Sequence, residues 1–501
     1  MCRVGGEGVM LNAGALPRFP TLQAKLANIF TPQFTLLVLV SLLLVTVEGL
    51  NRGKSIGFGG ESDDTEILSF GPYFAWITLP FFVIYAQSVR IRVSEALLLW
   101  LLLGSVVYDK SFAYTKLPVL PIYVTDLVLA FCFFDLWKRQ AIKFRDISRI
   151  EQIFYLLFLA AGCLAAARGF LGGQDRSKTV RDFAIVLYPA YVLVGVSIFR
   201  CWASIQRYLV VGALGAVLAS INAFFWFITT PDMRRYIQAP VYVQTVFVAA
   251  ILLKIRGWKG WKSNLLIACC ALGLLLGNAR STDLVAAVAL ALILVASAIL
   301  WKGISWVLIR TVSVTAVTII LLIVLVLQTE AGQKFFEKST DQIVSGVNYE
   351  DDANAIFRFL AWAEAYRRFD ESPIVGEGYG IPFVFALADN DPRPHNTYLT
   401  VLYKMGIVGF LPLAAILFEY YRRSMRGLYQ LRNLQRSTWL LLVLSIQFSF
   451  CAYGALNLLL ESPFLASLFW INIGMTVSVM LLLRKEAELQ QSHLHNPSRS
   501  A

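Results

Sequence analysis

The chain is poor in charge, in histidine and in paired cysteine. Only 15% of its 501 residues are charged, against 57% hydrophobic, whereas globular chains carry about 25% charged and about 45–50% apolar residues. That deficit excludes a soluble protein, and with it disorder and collagen. The seven cysteines form no C-x-x-C pair. Cys132, Cys163, Cys269, Cys270 and Cys451 stand inside apolar runs, so they read as small buried hydrophobes rather than a disulfide framework. Of three histidines, His493 and His495 fall in the polar C-terminal stretch, leaving His395 alone in the body of the chain. One imidazole does not make a zinc site, and no G-x-S-x-G accompanies it for intramembrane proteolysis. The surplus of 44 basic over 32 acidic residues gives a net charge of +12. Its scatter through short loops argues for membrane topology and against nucleic-acid binding.

What the chain has in abundance is apolar runs. Measured against the roughly 17 to 25 residues that cross hydrocarbon, they give about fourteen candidate spans, with twelve or thirteen still admissible. The runs fall near 34–50, 67–87, 93–108, 118–136, 151–167, 182–199, 208–228, 239–253, 264–277, 283–300, 305–327, 396–418, 438–457 and 463–483, the weakest being 264–277. Each must satisfy its own backbone in lipid and therefore reads as a helix. The expected fold is an all-α, polytopic membrane helix bundle of roughly 12–14 transmembrane helices, with one long outer loop containing short helices. Its parts are a cytoplasmic N-terminal segment 1–33 leading into an uncleaved first span, a first helix bundle 34–327, an extracytoplasmic loop 328–395, C-terminal helices 396–483 and a cytoplasmic tail 484–501.

Arginine and lysine placement sets the orientation. Arg90 and Arg92, the group Lys138 to Arg149, Arg200 and Arg207, the group Lys254 to Lys262, and the group Arg422 to Arg436 all fall on one side, the inside. Several cations break the rule: Arg168, Arg176, Lys178 and Arg181 in one outer loop, Arg234 and Arg235 in another, and Arg280 in a very tight turn. An Arg without a task would cost on the order of 2–3 kcal/mol there. Glu48, Asp126, Lys404 and Glu461 all fall toward the outer side of their spans, which implies a polar cavity opening outward; Glu48 and Glu461 read equally well as local pairs. Asp126 and Lys404 sit deeper, and an ion pair between them is one arrangement that would hold the bundle.

In the long loop, Ile356, Phe359, Leu360, Ala363 and Tyr366 recur at helical spacing, predicting an amphipathic helix capped by Asp352 or Asn354 and ended by Ser372-Pro373. Arg358 lies about 160° from Leu360 at 100° per residue, so it points to solvent or into a site. Gly376, Gly378 and Gly380 follow in a stretch that is neither a Walker A sequence nor a dinucleotide fingerprint, and reads as a tight chain reversal. Asp389 and Asp391 form a D-x-D pair that reads as a cation holder or as turn formers beside two prolines. His395 then stands at the lip of an apolar helix, either as a proton acceptor at neutral pH or as an interfacial helix-start residue.

The order of these features resembles the O-antigen ligase and O-antigen polymerase family of bacterial envelope glycosyltransferases. Three parts carry the resemblance: the turn Asn278-Ala279-Arg280-Ser281; Arg358 on a helix ending in Pro373-x-x-Gly376-x-Gly378; and His395-Asn396-x-Tyr398-Leu399 running through Gly406-x-x-Gly409 into the next span. It covers roughly residues 270 to 420. Ala279 stands where the family's turn has Ser, which changes the hydrogen bonding of that turn while keeping the arginine. The resemblance implies transfer of a glycan from a polyprenyl diphosphate to a hydroxyl of a lipid core or growing polysaccharide, at the outer face of the bacterial cytoplasmic (inner) membrane. It implies no cofactor and no metal, with Arg280 and Arg358 on the diphosphate and His395 assisting the attacking hydroxyl. Arg168, Arg176, Arg181, Arg234 and Arg235, with Asn396 and Lys404, are further candidate substrate contacts. The expected partners are that donor, a glycan or glycolipid acceptor and membrane lipids, with no nucleic acid. The competing expectation is a non-catalytic transporter or flippase of lipid-linked sugars, which would show related halves and charges open to both faces.

Overall fold

The computed structural model describes residues 71–113, 115–117, 120–142, 144–229, 240–258, 260–277, 279–300, 353–385, 393–434 and 436–495, with residues 40, 41, 328 and 333. Among the described residues the architecture is helical: α1 (Gly71–Ser88), α2 (Val93–Ala113), α3 (Val124–Lys138), α4 (Arg149–Leu171), α5 (Arg176–Leu187), α6 (Tyr191–Ile198), α7 (Trp202–Thr229), α8 (Val241–Ile255), α9 (Trp261–Gly277), α10 (Arg280–Leu300), α11 (Ala353–Glu371), α12 (Thr397–Gln430), α13 (Ser437–Leu456) and α14 (Pro463–His495). One small antiparallel hairpin, β1 (Lys116–Leu117) with β2 (Leu120–Tyr123), precedes α3. Twelve of the expected apolar runs overlap these helices; that at 305–327 lies outside the described residues, and of that at 34–50 only residues 40 and 41 are described. Among the described residues, seven helical stretches are long and apolar enough to cross a membrane, and Trp76–Ser88, Val241–Ile255 and Trp261–Gly277 are shorter apolar helices. The chain is thus an all-α, polytopic membrane helix bundle.

Helix α14 is the axis of the bundle. Of its apolar window 89% is buried inside the protein, against 28% for α10. Close approach of α14 to α6 depends on small residues: a Cβ on Gly195 would press on the Ile471 carbonyl at 2.9 Å, and one on Gly474 would overlap the Val192 carbonyl. In lipid, where apolar side chains gain nothing by leaving solvent, such backbone proximity is a main source of helix association. Cys132 and Cys270 are buried as expected, whereas Cys163 is exposed on the outside of α4.

The bundle has two chemically distinct ends. At one, Arg207 pairs with Glu95 at 2.6 Å, Arg423 with Glu151, and Arg436 with Glu486 at 3.5 Å, while Arg256 donates to Thr438 Oγ1 at 2.9 Å. These are cations of the groups expected on the inside. From Glu151 to Arg168, α4 rises about 26 Å at 1.5 Å per residue, close to the roughly 30 Å thickness of hydrocarbon. Arg168 therefore marks the opposite rim.

Two expectations change. Asp126 is not deep in a span: Leu120–Tyr123 is a strand, so Asp126 lies in the first turn of α3, where it accepts from the Tyr123 N–H at 3.0 Å and from the Tyr188 hydroxyl at 2.8 Å. It does not pair with Lys404. On α11 the expected apolar stripe points outward, with Phe359 57% and Tyr366 61% exposed. The buried face is instead Ala361 and Ala365, packed with Phe357, Phe369 and Leu399 around Phe383, Phe385 and Tyr403.

Candidate functional site

Helix α12 is broken near the rim. Gly406 has φ 62° and ψ −164°, so Ile407 N–H and Val408 N–H no longer reach the carbonyls of Tyr403 and Lys404. All four groups find partners in the glycine-rich stretch. Glu377 N–H donates to the Tyr403 carbonyl at 2.8 Å and Gly378 N–H to that of Lys404 at 3.0 Å, while Ile407 N–H donates to Pro373 O at 2.9 Å and Val408 N–H to Ile374 O at 3.1 Å. Pro373–Gly380 is thus a splint laid into the break. This satisfies the rule that irregular backbone at membrane depth must be buried in protein. Gly376, with φ 68°, lies so close that a Cβ would overlap the Lys404 backbone. The stretch is more than the tight reversal that its glycines suggest.

Buried charge anchors the splint. Lys404 Nζ pairs with Asp182 of α5, and the same Asp182 Oδ2 accepts from Gly380 N–H at 3.1 Å. Arg168 donates to the Gly376 carbonyl, which also accepts from the Ser372 hydroxyl at 2.8 Å. Arg368 binds Glu364 at 2.7 Å and Glu377 at 3.3 Å, donates to the carbonyls of Pro382 at 3.0 Å and Val384 at 3.1 Å, and lies over the Phe383 ring at 4.9 Å. Burial pushes the Glu377 carboxyl up to about 7, against the opposing pull of Arg368 and Lys404. Asp182, Arg368 and Glu377 were not distinguished in the sequence, because their partners are separated in the chain or are backbone groups.

His395 stands immediately before α12. Its backbone is left-handed, φ 49°, a conformation uncommon outside glycine. The Trp362 indole N–H holds the Pro394 carbonyl at 2.8 Å on one side, and Asn396 caps α12 on the other, accepting from the N–H groups of Tyr398 and Leu399 at 3.1 Å. The half-buried imidazole meets the Phe357 ring edge-on, centroids 6.2 Å apart, and Arg358 is the next residue of α11, also half-buried. Thr397 Oγ1 donates to Glu461 Oε2 at 2.7 Å and accepts from Leu459 N–H at 2.7 Å; its contact with the Asn457 carbonyl is 3.4 Å. The Asn457 amide donates to the Ser281 hydroxyl at 3.2 Å. Arg280 is the first residue of α10, directly before that serine. The turn 457–462 therefore joins the backbone turn carrying Arg280 to the helix start carrying His395, and the Phe357 ring joins the latter to α11.

The remaining candidates are dispersed. Asn396, Lys404 and Arg168 make the structural bonds just described. Arg181 lies 3.8 Å from Asp182, and Arg176 is exposed in the first turn of α5, whose cap is Asp175. Arg234, Arg235, Asp389 and Asp391 lie outside the described residues, as does Glu48. Among the described residues no three His, Cys, Asp or Glu side chains gather as a metal site.

Fold and site together define a polytopic α-helical membrane protein with three motif segments gathered at one end of the bundle. Residues 265–414 match the family model described as O-antigen ligase. An 88-residue stretch is 36% identical to an O-antigen ligase of Pseudomonas aeruginosa, covering 17% of this chain and 22% of that protein. Over that segment the chain is similar to the O-antigen ligase family, the family its motifs resemble. The identity match spans about a fifth of the curated relative's length.

Proposed function

We propose that the chain is a membrane glycosyltransferase of the O-antigen ligase or polymerase type. The donor is a glycan carried on a polyprenyl diphosphate, the acceptor a hydroxyl of a lipid core or growing polysaccharide, and the reaction takes place at the outer face of the cytoplasmic membrane. The guanidinium groups of Arg280 and Arg358 bind the diphosphate; their forked donors match phosphate oxygens and stabilise the leaving charge, each charge-assisted bond contributing about 1.5–3 kcal/mol. His395 takes the proton of the attacking hydroxyl. The hydroxyl oxygen attacks the anomeric carbon from the face opposite the phosphate; the sugar–phosphate bond breaks, and the polyprenyl diphosphate leaves with the electron pair. One displacement inverts the anomeric centre and leaves no covalent enzyme intermediate. The activation is already in the donor, so neither nucleotide nor metal is required.

One observation carries this reading: the family's three motif segments are joined at one end of the bundle through Ser281, Asn457, Thr397 and the Phe357–His395 ring contact. The test is purified protein given a polyprenyl-diphosphate oligosaccharide and an acceptor in the presence of a chelator. Release of polyprenyl diphosphate with formation of an inverted linkage is expected. Movement of the intact donor across the membrane without release would instead establish the transporter reading, and loss of transfer in chelator would refute the metal-free mechanism.

A further inference from the structure

The turn between α13 and α14, residues 457–462, lies outside the segment that matches the family model. Its hydrogen bonds are nevertheless directed at the motif segments. Asn457 reaches the serine that follows Arg280; the Leu459 amide and the Glu461 carboxylate hold the hydroxyl of Thr397, two residues after His395; and the Glu461 carbonyl accepts from Arg393 at 3.2 Å, two residues before it. Glu461 is 3% exposed, and its Oε1 has no hydrogen-bond partner among the described residues. A buried carboxylate kept half-satisfied in this way is held at a cost, which marks the turn as more than a connection.

We infer that Asn457 and Glu461 are positioning residues that set the separation between the Arg280 turn and the His395 helix start. This rests on the proposed transfer reaction. α10 and α12 are distant in sequence, and each enters the site at a helix start, where backbone groups lack intrahelical partners and the end can pivot. Asn457 ties α10 through a side chain, and Glu461 ties α12 through Thr397. Loss of either bond lets one half of the site shift relative to the other, and small misplacements of that kind lower turnover steeply.

The experiment is a double-mutant cycle on the full chain, read as donor turnover and, independently, as binding of the polyprenyl diphosphate alone. Asn457→Ala and Ser281→Ala should each lower kcat/KM about threefold to tenfold, the range for one polar bond. The loss should fall mainly in KM for the donor, and the double variant should be no worse than either single. Their thermal midpoints should stay at the wild-type value. Glu461→Gln, which keeps an acceptor for Thr397, should retain activity, whereas Glu461→Ala should lose it in kcat. Additive losses at Asn457 and Ser281, equal losses in both Glu461 variants, or losses that track the thermal midpoint would each overturn the inference. A wild-type chain that binds polyprenyl diphosphate without transferring a glycan would refute the proposed function alone, and the cycle would then be read in binding.

Discussion

Glu377 is the residue where environment and charge oppose each other most visibly. Its carboxyl is raised from an ordinary 4.5 to about 7 by burial, although Arg368 lies 3.3 Å away. Between those two values the folded chain binds more protons than the unfolded one, so stability is fully present below about 4.5 and declines as pH rises through about 7. The thermal midpoint is expected to fall from pH 5.5 to pH 8, and Glu377→Gln should flatten that fall; an unchanged slope in the variant would remove Glu377 as its source. His395 and Arg280 stood out in the sequence because each lies where a polar turn meets the start of an apolar run. Asn457, Asp182 and Arg368 were not, since nothing in their flanking residues announces partners such as Ser281, Lys404 or the Val384 carbonyl.

At the scale of elements, the interrupted α12 and its splint form one unit. Gly376→Ala combines a positive φ with overlap on the Lys404 backbone, and a cost of at least about 3 kcal/mol is expected, read as a lower thermal midpoint and reduced folded yield in detergent. Lys404→Met removes the buried cation paired with Asp182, leaving the more distant Arg181, and should cost about 3–5 kcal/mol, partly recovered in Asp182→Asn/Lys404→Met. A recovery is the informative result, because simple overpacking would leave the double variant as unstable as the single. The sequence showed where α12 begins and that glycines interrupt the chain near Pro373, but not that the two interruptions fit together; that depends on hydrogen bonds between segments about thirty residues apart. The outward stripe of α11 has a similar origin. Ala361 and Ala365 mark the buried face by being small enough for close packing, whereas the larger Phe359 and Tyr366 attract a hydrophobicity-based reading.

Across the whole molecule, the all-α class was the most legible feature, since a membrane enforces both apolarity and length; boundaries were less so, as the strand Leu120–Tyr123 inside an expected span shows. The two-ended charge distribution was readable for the same reason, and the ion pairs at the Glu151 and Arg423 end agree with it. The proposed orientation predicts that a cysteine introduced at Ser177 reacts with impermeant reagent from outside intact cells, while one at Ser492 reacts only after permeabilisation; the reverse pattern would invert the topology. The resemblance implied that the three separated motifs act together; that they are joined through the turn after α13 was not legible, because Asn457 and Glu461 lie outside them. In the proposed reaction Arg280, Arg358 and His395 act on one substrate. The most direct measurement of this joint action is single-turnover transfer from a polyprenyl-diphosphate oligosaccharide, in chelator, by wild type and the three single alanine variants. Losses of at least about a hundredfold are expected for His395→Ala, with comparable losses, accompanied by weakened donor binding, for Arg280→Ala and Arg358→Ala. Near wild-type transfer by all three variants would contradict the joint action.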